Sequence, residues 1–125
     1  MSRSLLLYCD DILDAIEAID EYVRGTTFEE FVNDPMRSDA VLYQLVIIGE
    51  AVRQIPEAVR EHYPEIEWRK VAGVRDVIVH GYHRVELSIV WSIMAHQLGP
   101  LRDVVRRLVD DVERVSADSR GSRSE

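Results

Sequence analysis

Ala40-Val41-Leu42-Tyr43-Gln44-Leu45-Val46-Ile47-Ile48-Gly49 is the most apolar run of this 125-residue chain, and its reading as helix or strand decides the fold. Val41, Leu45, Ile48, Val52 and Ile55 recur at spacings of three and four, the period of one helical face. Leu42, Val46 and Ile47 add apolar surface beside that stripe, so the segment is apolar almost all round near its middle, as a central buried helix is. The pattern predicts a helix from Pro35 to Ile55, with Asn33-Asp34-Pro35 as its entry. Gly49 interrupts it at a cost of about 1 kcal/mol relative to Ala, tolerable where a second helix packs closely.

Upstream, Leu5, Cys9, Ile12, Ile16, Ile19 and Val23 place one apolar face on a helix from Ser4 to Arg24. Its other side carries Asp10, Asp11, Asp14, Glu17, Asp20 and Glu21, read as a solvated face. Gly25 is a natural stop. Thr27-x-x-Glu30 then has the form of a capping box opening a short helix through Phe28, Phe31 and Val32.

Downstream, Pro56 opens a short helix reaching His62, and Trp68 to Val79 reads as a further helix that Gly81 terminates. Leu87, Val90, Ile93, Met94 and Leu98 keep helical spacing, as do Leu101, Val104, Val105, Leu108, Val112 and Val115; spacing leaves open whether Gly99-Pro100 breaks or kinks the chain between them. Residues 116–125 carry no apolar periodicity and are expected to be a disordered polar tail behind a helical domain of residues 1–115. The expectation is an all-α bundle.

A net charge of −8 argues against a generally basic, polyanion-binding protein, so any nucleic-acid site must be local. Cys9 is the only cysteine, which excludes an internal disulfide and a multi-thiolate metal site within one chain. The central apolar run falls short of the roughly 20 residues of a membrane span, and Leu5-Leu6-Leu7 is followed at once by acids. A soluble, cytoplasmic protein without a membrane anchor is expected.

Arg75-Asp76-Val77-Ile78-Val79-His80-Gly81-Tyr82 is the stretch that carries chemistry. Between Trp68 and Arg84, Arg69, Lys70, Arg75 and Arg84 stand against the single acid Asp76, with His80 and His83 able to add charge, so a phosphate backbone would be attracted here and RNA contacted. His80 could exchange protons with an attacking 2′-hydroxyl or a leaving oxygen while Arg75 neutralises charge growing on the phosphate. On an ideal helix the two differ by about 140° in azimuth and converge only if the helix frays or ends near His80. Asp76 lies four residues before His80 and could orient the imidazole, or simply pair with a basic residue. His80-x-x-His83 has the spacing of a metal pair but lacks further close-spaced ligands, so neither metal nor cofactor is expected. Tyr82 could stack on a base, accept a modification or pack half-buried.

Arg75-x-x-x-x-His80-x-Tyr82, preceded by Ile48-Gly49-Glu50-Ala51 and by Pro64-Glu65-Ile66-Glu67-Trp68-Arg69, resembles the HEPN superfamily and closely the HepT-type toxins of HepT/MntA toxin–antitoxin pairs, from about Leu5 to Val112. The resemblance implies a HEPN-like bundle of about four to five main helices, forming a homodimer. It implies a metal-independent endoribonuclease, the toxin of a type VII-like pair, with Arg75 and His80 as the catalytic pair and Glu50 as a partner for Arg75. It further implies a minimal nucleotidyltransferase antitoxin, MntA-like, that transfers AMP to Tyr82. Many relatives have Asn after the motif arginine where this chain has Asp76. The alternative function is a non-catalytic, nucleotide-binding or substrate-presenting helical subunit of a nucleotidyltransferase.

Overall fold

The computed structural model describes residues 2–123. It runs through α1 (Ser2–Val23), α2 (Phe28–Val32), α3 (Pro35–Gln54), α4 (Glu57–Arg60), α5 (Trp68–His80), a 3₁₀ turn (Tyr82–Arg84), α6 (Leu87–His96) and α7 (Leu98–Arg123), with no strand among the described residues. α1, α3, α5, α6 and α7 are the main helices of an all-α bundle. None of the described helices is long and apolar enough to cross a membrane.

The helix ends follow local chemistry. Gly25 ends α1 in the left-handed region, at φ 72°, where a Cβ is strained. The capping box closes in both directions, since Glu30 N–H donates to Thr27 Oγ1 and Thr27 N–H donates to Glu30 Oε1, each at 3.1 Å. Asp34 caps α3 by accepting from Arg37 N–H at 3.2 Å, with Pro35 next in the first turn. The break between α6 and α7 falls at Gln97, ahead of Gly99-Pro100. Pro100 then lies in the first turn of α7, where a missing N–H costs no helical hydrogen bond.

α3 is central, packed along α1 on one side and α5 on the other, while α7 lies against α1 and α6. Ile12, Ile16 and Ile19 of α1 meet Val41, Ile48 and Val52 of α3 and Leu101, Val105 and Leu108 of α7 in one buried core. Full burial contributes about 1.5–3 kcal/mol per such side chain, which is what holds the bundle together.

The expected tail takes a different form: residues 116–123 continue α7 as helix, and residues 124–125 lie outside the described residues. Its lack of an apolar stripe fits the exposure of Ala117, Asp118 and Ser119. The helix persists because elongating one already anchored by Leu101, Val105 and Leu108 is far easier than nucleating a new one.

Candidate functional site

The seam between α3 and α5 sets the position of Arg75. A Cβ added at Gly49 of α3 would overlap Arg75 Cβ and lie 3.4 Å from Ala72 O, so glycine is what lets the two helices close to this distance. Arg75 is thereby held against α3 with 27 % of its side chain exposed, its Nε screened from solvent and in charge contact with Glu50 Oε1, without a well-aligned hydrogen bond. Its Nη1 lies 3.1 Å from Asp76 Oδ1. These contacts engage Nε and Nη1, and among the described residues Nη2 makes no hydrogen bond or ion pair.

Asp76 is turned toward cations. Arg53, in the last turn of α3, places Nη2 2.8 Å from Asp76 Oδ2 and 3.3 Å from Ala72 O. The hydrogen bond from Arg53, then that from Arg75, holds the Asp76 carboxyl below the usual carboxylate range. Among the described residues no hydrogen bond joins Asp76 to His80, and each Asp76 oxygen is in contact with a guanidinium group, as in the simple pairing with a basic residue. Both guanidinium groups are within reach of one carboxylate, and charge-assisted bonds outcompete a single imidazole.

His80 is exposed and is the last residue of α5. Gly81 caps the helix at φ −143°, ψ 42°, outside the left-handed region, with its N–H still bonded to Val77 O at 3.0 Å. The helix therefore stays wound through His80. Ideal geometry puts Arg75 and His80 about 7.5 Å apart along the axis and about 140° apart around it, so the fraying that would bring them together is not present within one chain.

After Gly81 the chain turns, and Tyr82, 43 % exposed, reaches back to α3, where its hydroxyl donates to Asp39 Oδ1 at 2.5 Å. That hydrogen bond, then partial burial, then the carboxylate charge raise the Tyr82 phenol above its ordinary value. His83 stands edge-on to the Tyr82 ring, with centroids 5.8 Å apart. Tyr82, Asp39, Tyr43 and Val79 line one shallow groove.

The basic stretch is divided. Arg69 and Lys70 sit in the first turn of α5, roughly 16 Å along the axis from His80, whereas His83 and Arg84 are exposed in the 3₁₀ turn beyond it. Lys70 lies 2.8 Å from Glu67 and Arg69 lies 3.9 Å from Glu57. The single patch expected from linear composition is thus two smaller ones, because thirteen helical residues hold its members at opposite ends.

Arg53 and Asp39 contribute to the site from outside the motif. Arg53 had a signal, since it follows Glu50 by three positions and shares its helical face. Asp39 had none, lying 43 residues from the hydroxyl it accepts.

A family model described as ribonuclease HepT-like matches residues 12–108, which takes in α3, the seam with α5, the 3₁₀ turn and most of the core. The chain belongs to the ribonuclease HepT-like family. It is 37 % identical over 108 residues to the "Probable ribonuclease HepT" of Thermococcus cleftensis, covering 86 % of this chain and 98 % of that one. To the "Putative RNase" TTE0752 of Caldanaerobacter subterraneus subsp. tengcongensis it is 35 % identical over 102 residues, 82 % of this chain and 91 % of that one. It spans about half, 51 %, of a Methanocaldococcus jannaschii protein named "Gamma-glutamylcyclotransferase and putative RNase MJ0434", at 29 % identity over 114 residues and 91 % of this chain. No solved structure matches the chain.

Within this family chain, the geometry offers a fixed cation at Arg75, an exposed imidazole at His80 and an exposed phenol at Tyr82. Among the described residues no three His, Cys, Asp or Glu side chains stand together as a metal site would need.

Proposed function

We propose that the chain is a metal-independent endoribonuclease whose catalytic residues are Arg75 and His80, and that it acts in the cytoplasm as the toxin of a type VII-like toxin–antitoxin pair. The observation that carries this is the clamping of Arg75 by Glu50 and Asp76 at the α3–α5 seam, on the helix that ends in exposed His80. A preorganised guanidinium at a phosphate costs no reorganisation when charge develops on the phosphorus oxygens. The 2′-hydroxyl of the RNA attacks the adjacent phosphorus, the bond to the 5′-oxygen breaks, and a 2′,3′-cyclic phosphate and a 5′-hydroxyl result. One proton leaves the 2′-hydroxyl and one reaches the 5′-oxygen.

One imidazole cannot be base and acid at the same instant. A homodimer with two-fold symmetry places two His80 side chains in one cleft and supplies both roles, and it removes the need for Arg75 and His80 of one chain to converge. His83 and Arg84 flank that cleft, and Arg69 and Lys70 meet a longer RNA farther along α5. The antitoxin is a minimal nucleotidyltransferase, MntA-like, that transfers AMP from ATP to the Tyr82 oxygen, breaking the α–β phosphoanhydride and releasing pyrophosphate and the phenol proton. Bulk and negative charge two residues from His80 then block the RNA phosphate.

Incubation of purified protein with RNA in EDTA is expected to give cleavage that R75A and H80A each abolish. Equal cleavage by H80A and wild type would sink the assignment.

A second reading is a non-catalytic, substrate-presenting helical subunit of a nucleotidyltransferase, favoured by the exposure of Tyr82 and its phenol–carboxylate contact with Asp39. It predicts AMP transfer to Tyr82 by a protein that does not cleave RNA.

A further inference from the structure

We propose that Arg53 is a positioning residue for RNA cleavage, acting through Asp76 to keep Arg75 available to phosphate; this rests on the ribonuclease reading of Arg75. Glu50 and Arg53 project from one face of α3, and Arg75 and Asp76 are consecutive on α5, so the seam holds two guanidinium groups and two carboxylates in a chain of contacts. Glu50 meets Arg75 Nε, Arg75 Nη1 meets Asp76 Oδ1 at 3.1 Å, and Asp76 Oδ2 meets Arg53 Nη2 at 2.8 Å. Each oxygen of Asp76 thus has its own cation. The quartet is electrically balanced before RNA arrives.

Arg53 is anchored as well as charged. The same Nη2 donates to Ala72 O at 3.3 Å, one helical turn before Asp76, which fixes the guanidinium along α5 and fixes which carboxylate oxygen it takes. Without Arg53 the second oxygen of Asp76 loses its cation, and Arg75 is then shared by two carboxylates with one net negative charge among the three groups. An incoming phosphate must compete with that charge for the same guanidinium. Arg53 touches neither substrate nor reacting atoms in this scheme. It keeps Asp76 from taking more of Arg75.

The test compares wild type, R53A, R53K, D76N and R53A/D76N in two assays. The first is kcat/KM for RNA cleavage, and the second is binding of a short fluorescein-labelled single-stranded RNA, read by anisotropy, with each substitution placed in an H80A background. R53A is expected to lower kcat/KM and weaken binding, each about fivefold, as for loss of one partly exposed charge pair. D76N in the R53A protein removes the surplus charge but keeps an Oδ1 that accepts from Arg75 Nη1, and is expected to recover part of both losses; R53K is expected to fall between R53A and wild type. A purely structural tie between α3 and α5 predicts no recovery from D76N, because the Ala72 O contact stays broken. R53A indistinguishable from wild type, or R53A/D76N no better than R53A, overturns the proposal, and R53K carries the test should R53A not fold. Wild type that neither cleaves nor binds RNA defeats the ribonuclease reading itself, whereas wild type that cleaves with an indifferent Arg53 defeats only this inference.

Discussion

Gly49 lies directly against Arg75 across the α3–α5 seam, so close that a single added methyl group would occupy the space of Arg75 Cβ. Backbone and not only side chain therefore places this arginine. G49A must push α5 outward or turn Arg75 away from Glu50. Overpacking costs about 1–3 kcal/mol, set against about 1 kcal/mol that Ala gains in helix propensity. The net expectation is a loss of stability in urea unfolding together with a fall in RNA cleavage larger than that loss explains. A G49A protein of unchanged stability and activity would show that the close approach is not needed.

Acid should loosen the same seam. Hydrogen bonds from Arg53 and then Arg75 hold the Asp76 carboxyl below its ordinary value of 3.8, so the folded protein binds this proton more weakly than the unfolded chain does. The contribution is complete above the ordinary value and is lost as pH falls through the lower, folded value. Glu65, bonded to Arg107, and Glu30, in the capping box, are lowered too and act in the same direction. Stability measured by denaturant titration is expected to decline as pH falls through and below the ordinary carboxylate range, and D76N should flatten part of that decline. An identical pH dependence in D76N would mean that Asp76 is not held as described.

The helices were legible because each buried stripe repeats at three and four residues, from Ile12, Ile16 and Ile19 to Leu101, Val105 and Leu108. The break at Gln97 was not, since spacing on either side of Gly99-Pro100 is helical in both readings. Glu50 beside Arg75 could be anticipated from the motif, and Arg53 shares the Glu50 face of α3, but that Arg53 meets Asp76 depends on how α3 lies across α5, which no local pattern encodes. Counting charges from Trp68 to Arg84 likewise merged residues that a wound helix keeps at opposite ends. Residues 116–123 are helical for a related reason: absence of an apolar stripe removes burial, not the capacity to extend an anchored helix.

In the proposed function Tyr82 serves regulation and not catalysis. Y82F deletes the donor to Asp39, an exposed contact, and should change stability by less than about 1 kcal/mol. Cleavage of RNA should survive. Co-expression with a minimal nucleotidyltransferase is expected to raise the mass of the wild-type chain in steps of one AMP and to leave Y82F unmodified. Label found on another residue, or on Y82F, would remove Tyr82 from this role.

Proton transfer by His80 with charge stabilisation by Arg75 fixes the chemical identity of the new RNA ends. Products formed by wild type in EDTA should carry 2′,3′-cyclic phosphate and 5′-hydroxyl ends and should be absent with H80A. Products with 3′-hydroxyl and 5′-phosphate ends, or cyclic phosphate ends formed equally well by H80A, would exclude proton transfer by His80.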